Sequence, residues 1–284
     1  MPEVESLRRF LADSCVGHAV AQVNLAAISA LKTYDPPFEA LQGLVISAVR
    51  RHGKFLALDC DGLFLVFHLA RAGWLRWRTE LPSTPPRPGR GPLALRVTLD
   101  NGAGFELTEA GTQRKLAVYV VTDVTQVPGI ATLGPDPLDE DFTADVLGTI
   151  LAARGRAQLK GVLRDQKLIA GIGNAYSDEI LHAARLSPYQ PSNGLDADGV
   201  AELHRVIRQE LTDAIERAAG LAAKDLKGEK KSGMKVHGRA GQPCPVCGDT
   251  VREVSFADSA LQYCPTCQTK GKLLADRRMS RLLK

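Results

Sequence analysis

The sequence lacks any apolar run long enough to cross a membrane, and its N-terminus lacks the basic-then-apolar pattern of a secretory signal. It also has no internal repeat and no extended low-complexity segment. These absences argue against a membrane-spanning or repeat protein, and we expect a cytoplasmic chain with reduced thiols. With 284 residues and 44% hydrophobic content, the chain is long enough for two domains and a small additional module.

Cysteine is scarce, yet four of the six cysteines stand in two Cys-x-x-Cys pairs. Cys244 and Cys247 form the first pair, and Cys264 and Cys267 form the second after sixteen intervening residues. Zn²⁺ binds four thiolates tetrahedrally, and each pair brings two sulfurs to one side of the ion. The spacing predicts one structural Zn²⁺ site, with two disulfides or four buried thiols as the alternatives.

The chain also lacks a large excess of charge of one sign, since its formal net charge is +4. The basic residues are nevertheless clustered. One run precedes the cysteine motif and another follows it: Lys224, Lys227, Lys230, Lys231, Lys235 and Arg239, then Lys270, Lys272, Arg277, Arg278, Arg281 and Lys284. Either run alone is as consistent with a solvated face as with a polyanion partner. Together, on both sides of a zinc module, they favour nucleic acid.

The hydrophobic pattern changes from β-rich to helical along the chain. A helix is predicted over 3–13, and short β-rich segments follow up to residue 124, several of them punctuated by Asp61-Gly62 or Asn101-Gly102 turns. Helical patterns then cover 140–153, 156–164, 174–185 and 196–219. We predict an α+β fold, with an N-terminal antiparallel β-sandwich and leading helix over 1–132, a helical domain over 133–233, and a zinc finger with a basic tail over 234–284.

The proline-rich segment 82–92 is predicted to be an exposed loop. In the helical part, the glycine-rich segment 168–174 joins two helical stretches. Gly171 and Gly173 allow the backbone to approach another group closely, and Asn174 starts a helix whose free N–H groups suit a phosphate. Packing alone explains such glycines about as often.

Several motifs together resemble the formamidopyrimidine-DNA glycosylase / endonuclease VIII family of base-excision repair enzymes. They are the start Met1-Pro2-Glu3, the segment Leu133–Leu138, the segment Gln158–Glu179, and the run from Val236 into the four-cysteine finger. The resemblance implies an N-terminal β-sandwich, a helix-two-turn-helix domain and a zinc finger. It also implies double-stranded DNA with a damaged base or abasic site as partner, a monomer, and a bacterial, nucleoid-associated location.

The resemblance implies a catalytic role for three residues. After removal of Met1, the free amine of Pro2 attacks C1′ of an extruded nucleotide, the base departs, and a Schiff base leads to strand cleavage. Glu3 acts as the acid that assists ring opening. Lys54 matches a family lysine that stands on a strand and faces DNA phosphate.

Five DNA-binding residues follow from the same resemblance. Asn174 matches the phosphate-binding asparagine of the helix-two-turn-helix, and Lys160 matches a lysine near the lesion. Arg71 stands where the family has a methionine that fills the gap left by the extruded base. Lys115 and Leu116 are the remaining candidates to fill that gap, since a leucine can wedge between bases.

The sequence departs from the family pattern at both ends. The segment between Pro2 and the first helix is three residues shorter than usual. At the finger tip, Ser259 replaces an arginine that grips phosphates, and Asp258 beside it would repel them. Arg252 is a candidate substitute.

We expect a DNA glycosylase with an accompanying AP lyase activity. The alternatives are a catalytically weak or silent protein that binds damaged or abasic DNA, and a zinc-ribbon nucleic-acid binder without lesion preference.

Overall fold

The computed structural model describes residues 1–89, 91–111, 113–256 and 259–275. The chain divides into two compact units. The N-terminal unit contains 2–132 and 218–227, and the C-terminal unit contains Met1, 133–217 and the chain from Gly228 onward. The predicted division into three domains stays a prediction.

The N-terminal unit consists of a helix and two antiparallel four-stranded sheets. Helix α1 (Pro2–Cys15) packs against strand β2. One sheet has the order β1-β6-β7-β5 and the other β2-β3-β4-β8. The strands are β1 (Val20–Leu25), β2 (Ile46–His52), β3 (Phe55–Cys60), β4 (Leu63–His68), β5 (Gly73–Arg78), β6 (Leu93–Leu99), β7 (Gly104–Glu109) and β8 (Ala117–Val121). The short helix α2 (Pro128–Ala131) follows them.

The two sheets share one hydrophobic core, to which α1 contributes Leu7 and Leu11. The predicted antiparallel sandwich with a leading helix is therefore confirmed. The predicted Asp61-Gly62 turn is the two-residue link between β3 and β4, with both residues at positive φ as a type I′ turn requires. The sequence analysis did not single out strand β7, although its apolar Phe105 and Leu107 alternate with polar residues. All six of its residues are buried, Glu106 among them.

The C-terminal unit begins with four helices around a second core. They are α3 (Ala144–Ala153), α4 (Leu159–Arg164), α5 (Asn174–Ala183) and α6 (Ala197–Arg217). The first starts at Ala144 and not at 140, because the Thr143 side chain caps it by accepting from the N–H of Val146. Helices α4 and α5, joined by the glycine-rich segment, form the helix-two-turn-helix. In α6, buried residues recur every three or four positions, as in an amphipathic helix.

The last part of the described chain is the zinc module. Helix α7 (Leu226–Gly233) precedes it, and the module contains β9 (Arg252–Ser255), β10 (Ala260–Tyr263) and α8 (Pro265–Thr269). The strands pair as an antiparallel hairpin. Asp258 and the basic residues Arg277, Arg278, Arg281 and Lys284 lie outside the described residues. Within the described ranges, no helix combines the length and the apolar character that crossing a bilayer requires.

Candidate functional site

The first turn of α1 carries the predicted nucleophile and the predicted acid. Pro2 occupies the first helical position, where its missing N–H costs nothing because that group has no intrahelical acceptor. Pro2 and Glu3 are both buried, and Oγ of Ser6 donates to the Pro2 carbonyl at 3.1 Å. The backbone at Pro2 is therefore held by the helix that it begins.

A charge network ties this helix to the hairpin between β2 and β3. The carboxylate of Glu5 accepts from Nε of Arg51 at 3.0 Å, and Nη1 of Arg51 donates to the Gly53 carbonyl at 3.0 Å. Burial opposes ionisation of Glu5, but hydrogen bonds from Arg8 and Arg51 outweigh it and hold the pKa of that carboxyl below its usual value. Sequence reasoning missed this pair because 46 residues separate its members.

Lys54 lies in the two-residue turn between β2 and β3. The prediction that it stands on a strand is wrong, because Gly53 adopts a left-handed φ of +57° and turns the chain before Lys54. Arg51, which bonds the carbonyl of Gly53, connects this turn to α1. Lys54 is half-buried. The turn that carries Lys54 and the helix that carries Pro2 are thus linked by one arginine.

His68, at the end of β4, is a titratable neighbour of Lys54 that the sequence analysis did not single out. Its ring lies against that of Phe55, with centroids 4.7 Å apart. Its Nδ1 accepts from the N–H of Ala70 at 3.2 Å, which places the proton of the neutral ring on Nε2. Burial and then the charge of Lys54 lower the pKa of His68 to about 4. At pH 7 the imidazole therefore adds no charge beside Lys54.

The structure separates the three candidates for filling the gap left by an extruded base. Arg71 is exposed in the loop between β4 and β5, and Lys115 is exposed before β8. Leu116 is only 2% exposed and belongs to the core, and its N–H bonds the carboxylate of Glu109 at 3.0 Å. A side chain that wedges between bases must protrude. The structure therefore contradicts Leu116 as a wedge and leaves Arg71 and Lys115 as candidates.

A groove of about 800 Å³ runs along the edge strand β5 of the N-terminal unit. Both tryptophans of the chain, Trp74 and Trp77, line it together with Phe10 and four basic side chains: Arg76, Arg78, Lys224 and Lys227. Nε1 of Trp74 donates to the Ala223 carbonyl at 3.1 Å, and Nζ of Lys227 lies 4.5 Å from the centre of the Trp74 ring. Aromatic faces beside cations suit a nucleobase and its phosphate.

Lys160 in the C-terminal unit is buried and not available to DNA. Its side chain is 6% exposed, and Nζ donates to the carboxylate of Asp178 at 2.5 Å, to Oγ of Ser177 at 2.8 Å and to the Asn174 carbonyl at 3.3 Å. Burial lowers the pKa of Lys160, and the charge of Asp178 acts against that shift. All three ammonium hydrogens are used. The predicted DNA contact is therefore contradicted, and Lys160 instead positions the first turns of α5.

Asn174 begins α5, as the sequence predicts, and its side chain links that helix to the finger. Nδ2 donates to the Ala260 carbonyl in β10 at 2.7 Å, whereas Oδ1 has no partner among the described residues. The amide nitrogen carries two hydrogens, and the carbonyl takes one of them. The predicted phosphate contact stays a prediction, with the second hydrogen as its donor.

Gly171 shows which group the glycine-rich segment approaches. Its φ is +85°, and a Cβ at this position would lie 1.9 Å from Cε of Met1. Met1 is only 4% exposed and belongs to the hydrophobic core of the C-terminal unit. The close approach expected from the sequence is therefore made to the Met1 side chain.

Two adjacent carboxylates on α5 hold the segment that leads to the finger. Glu179 accepts backbone N–H groups of Lys235, Val236 and His237 at 2.7, 3.0 and 2.7 Å. Burial raises the pKa of Glu179, and these hydrogen bonds act against the shift. Fully buried Asp178 bonds Nδ1 of His237 at 2.8 Å. Both carboxylates thus serve to position the chain.

The four cysteines converge beside the β9–β10 hairpin, with all Sγ atoms within 4.8 Å of one another. Sγ of Cys247 lies 3.4 Å from Sγ of Cys264, and Sγ of Cys244 lies 3.9 Å from Sγ of Cys267. Tetrahedral zinc with Zn–S bonds of about 2.3 Å needs sulfurs about 3.8 Å apart. The donor set fits, and the prediction of one structural Zn²⁺ is confirmed.

The tip of the finger hairpin lies at the end of the strands near Ser259. The Ser259 carbonyl accepts from the N–H of Phe256 at 2.7 Å. Arg252 is exposed at the opposite end of β9, where it pairs with Tyr263. Arg252 stands three strand positions before Ser255, which is roughly 10 Å. Arg252 therefore does not occupy the place of a tip arginine.

Comparisons with known proteins agree with this geometry. Residues 1–117 match the formamidopyrimidine-DNA glycosylase N-terminal domain, 133–225 match the formamidopyrimidine-DNA glycosylase H2TH domain, and 241–270 match the zinc finger found in FPG and IleRS. In a solved complex of Lactococcus lactis Fpg with DNA that contains an abasic site, the protein is 25% identical. Its TM-score is 0.82, over 95% of this chain and 99% of that one.

Two curated relatives indicate which family the chain belongs to. The "uncharacterized formamidopyrimidine-DNA glycosylase-like protein" of Mycobacterium tuberculosis is 58% identical over 55% of this chain and 98% of its own length. The formamidopyrimidine-DNA glycosylase of Symbiobacterium thermophilum is 34% identical over 98% of this chain and 92% of its own length. From its sandwich, its helix-two-turn-helix, its four-cysteine finger and this end-to-end similarity, we conclude that the chain belongs to the formamidopyrimidine-DNA glycosylase family.

Proposed function

We propose that this protein is a DNA glycosylase that removes a damaged base through the amine of Pro2 and then cleaves the strand as an AP lyase. The observation that carries the proposal is the Glu5–Arg51–Gly53 link, which connects the helix bearing Pro2 and Glu3 to the turn bearing Lys54. Three groups suited to one reaction are thereby attached to a common framework. The partner is double-stranded DNA with a damaged base or an abasic site.

The chemistry begins when removal of Met1 frees the secondary amine of Pro2. An α-amine titrates near neutral pH, so a useful fraction carries a lone pair. The nitrogen forms a bond to C1′ of the extruded nucleotide while the bond from C1′ to the base breaks, and the base leaves with its electron pair and takes up the proton that the amine nitrogen loses. The sugar ring then opens as C1′–O4′ breaks, the nitrogen lone pair forms the iminium, and Glu3 delivers a proton to O4′.

Lys54 contributes a fixed positive charge to this reaction. Beside it, His68 is neutral because burial and Lys54 together lower the pKa of the imidazole to about 4. We assign to Lys54 a contact with the phosphate of the target nucleotide. The iminium makes the C2′ proton acidic, the carboxylate of Glu3 takes up that proton, and the electron pair of the C2′–H bond expels the 3′ phosphate in the elimination that cuts the strand.

The groove along β5 is our candidate for holding the extruded base. Its volume of about 800 Å³ is within the range of small-molecule sites, and Trp74, Trp77 and Lys227 offer stacking and charge. The groove supports a base-binding role by its chemistry. A surface that binds only phosphates needs basic side chains but no aromatic rings, whereas both tryptophans of the chain line this groove.

One observation favours a second function, that of a silent binder of damaged DNA. The Met1 side chain is buried against Gly171. A chain that keeps Met1 has an amide nitrogen at Pro2, which has no nucleophilic lone pair. Such a form would bind abasic DNA through Asn174 and the finger without cutting it.

The test is a panel of duplexes that each carry one damaged base or an abasic site, incubated with wild-type protein and with Pro2→Gly. The intact mass of each preparation must first establish the state of Met1. Release of one base class by Met1-free wild type, reduced at least tenfold in Pro2→Gly, supports the enzyme. Retention of Met1 together with tight binding and no cleavage of abasic duplex supports the silent binder, and so does tight binding without cleavage by the Met1-free protein.

A further inference from the structure

We propose that His182 is a positioning residue of the zinc site, whose Nε2–H group donates a hydrogen bond to the thiolate of Cys244. His182 lies on α5 in the helix-two-turn-helix, and Cys244 is the first cysteine of the finger. Nε2 lies 3.3 Å from Sγ of Cys244. His182 is only 3% exposed, and Cys244 is also 3% exposed, so water does not compete for this contact.

The hydrogen-bond pattern determines which nitrogen carries the proton. Nδ1 of His182 is buried and has no partner among the described residues. A thiolate that binds zinc has lone pairs and no hydrogen, so it can only accept. A contact between Nε2 and that sulfur is attractive only if Nε2 carries the hydrogen. The geometry therefore favours the ring form with its proton on Nε2.

The contact would change the chemistry of the bound sulfur. Four thiolates around one Zn²⁺ carry a net charge of −2, and a hydrogen bond withdraws electron density from the sulfur that accepts it. A donor to one thiolate therefore makes that sulfur less nucleophilic and slower to react with alkylating or oxidising reagents. It also fixes the direction from which Sγ of Cys244 approaches the ion. Partners of this kind typically contribute 10- to 100-fold to metal affinity.

His182 also belongs to a wider attachment of the finger to α5. At the start of the helix, Nδ2 of Asn174 bonds the Ala260 carbonyl of the hairpin at 2.7 Å. Beyond the end of the helix, Nε2 of Gln268 donates to the Leu186 carbonyl at 2.9 Å. The bond from His182 lies between these two along the helix and reaches the metal centre itself. The helix that carries the predicted phosphate ligand is thus bonded directly to a zinc ligand.

The test compares zinc release from His182→Phe, His182→Gln and His204→Gln. Phenylalanine keeps the ring volume but has no donor, whereas glutamine restores an N–H donor. His204 is the matched control, because its Nε2 bonds the Phe142 carbonyl at 2.6 Å in the same unit. Zinc transfer to a colorimetric chelator, with and without N-ethylmaleimide, gives affinity and thiol reactivity. The charge-transfer bands of cobalt-substituted proteins report the sulfur electronics independently of activity.

We expect His182→Phe to weaken zinc binding roughly 10- to 100-fold, to react faster with N-ethylmaleimide and to shift the cobalt bands. His182→Gln should recover part of each effect, and His204→Gln should match the wild type. A folded His182→Phe protein with wild-type zinc affinity and an unshifted cobalt spectrum would overturn the proposal.

A measurement on the wild-type side chain covers the case in which His182→Phe does not fold. In the ¹¹³Cd-loaded protein, the proton on Nε2 of His182 should show scalar coupling to the metal through Sγ of Cys244. A protonated Nδ1, or an Nε2 proton without coupling to ¹¹³Cd, would contradict the hydrogen bond.

Discussion

At the scale of single residues, His68 makes the stability of the N-terminal unit depend on pH. Its folded-state pKa is about 4, lowered by burial and by Lys54, from a usual value of 6.5. Between these values the unfolded chain binds more protons, so the free energy of unfolding falls as the pH falls from about 6.5 to about 4. The loss is about 1.4 kcal/mol for each pKa unit of the shift.

We expect His68→Gln to flatten this part of the stability profile, measured by urea unfolding at pH 7 and pH 4.5. In the wild type, an NMR titration of the His68 ring should give a midpoint near 4. Lys54→Gln should raise that midpoint, because it removes a positive charge that disfavours the imidazolium. A wild-type midpoint near 6.5 would show that His68 is solvated and not held beside Lys54.

The Glu5–Arg51 pair allows a matched comparison of two arginines on one carboxylate. The Arg51 side chain is 8% exposed, whereas that of Arg9 is 51% exposed and bonds the same oxygen as Arg8. We expect Arg51→Ala to lower the free energy of unfolding by about 2 kcal/mol, because it removes the most buried of the three arginines that bond the Glu5 carboxylate. Arg9→Ala should cost at most about 1 kcal/mol. Equal losses of unfolding free energy in the two variants, measured by urea unfolding, would contradict the structural role assigned to Arg51.

At the scale of elements, the finger hairpin and the groove along β5 are two surfaces that we propose to contact DNA. The tip residue Ser259 has no charge, and Arg252 lies at the other end of β9. Ser259→Arg should restore a charge-assisted contact to phosphate and raise lyase activity on abasic duplex roughly tenfold, since such bonds contribute about 1.5 kcal/mol or more. Ser259→Gln, which is neutral, should not. No gain from arginine would mean that the tip does not control strand cleavage.

The groove gives an optical signal because it is lined by both tryptophans of the chain. If an extruded base stacks there, duplex with a damaged base should quench tryptophan fluorescence differently from intact or abasic duplex at equal salt. Trp74→Phe and Trp77→Phe separate the two contributions. Trp74→Phe also removes the Nε1 bond to the Ala223 carbonyl. Identical quenching by intact and damaged duplex would exclude the groove as the base site.

Elements with local signals could be predicted from the sequence, and contacts across long separations could not. The two Cys-x-x-Cys pairs and the Asp61-Gly62 turn can each be recognised from a few consecutive residues. The bond between His182 and Cys244 spans 62 residues, and that between Asn174 and Ala260 spans 86. Lys160 illustrates the limit, because its motif is recognisable in sequence but its three buried acceptors are not.

At the scale of the whole molecule, we assign the chemistry to the N-terminal unit. Pro2, Glu3 and Lys54 belong to that unit, whereas Asn174 and the zinc finger belong to the C-terminal unit. The central claim is that the amine of Pro2 is the group that bonds to the sugar. The end-to-end similarity establishes family membership, whereas the role of the Pro2 amine is our proposal.

Borohydride trapping on an abasic duplex, followed by peptide mapping, tests that claim most directly. Reduction converts an iminium between protein and sugar into a stable amine, so the adduct marks the attacking nitrogen. We predict a one-to-one adduct on the Pro2 nitrogen of the Met1-free protein, and none on any fraction that keeps Met1. An adduct on a lysine, or no adduct from Met1-free protein that still binds the duplex tightly, would contradict the account.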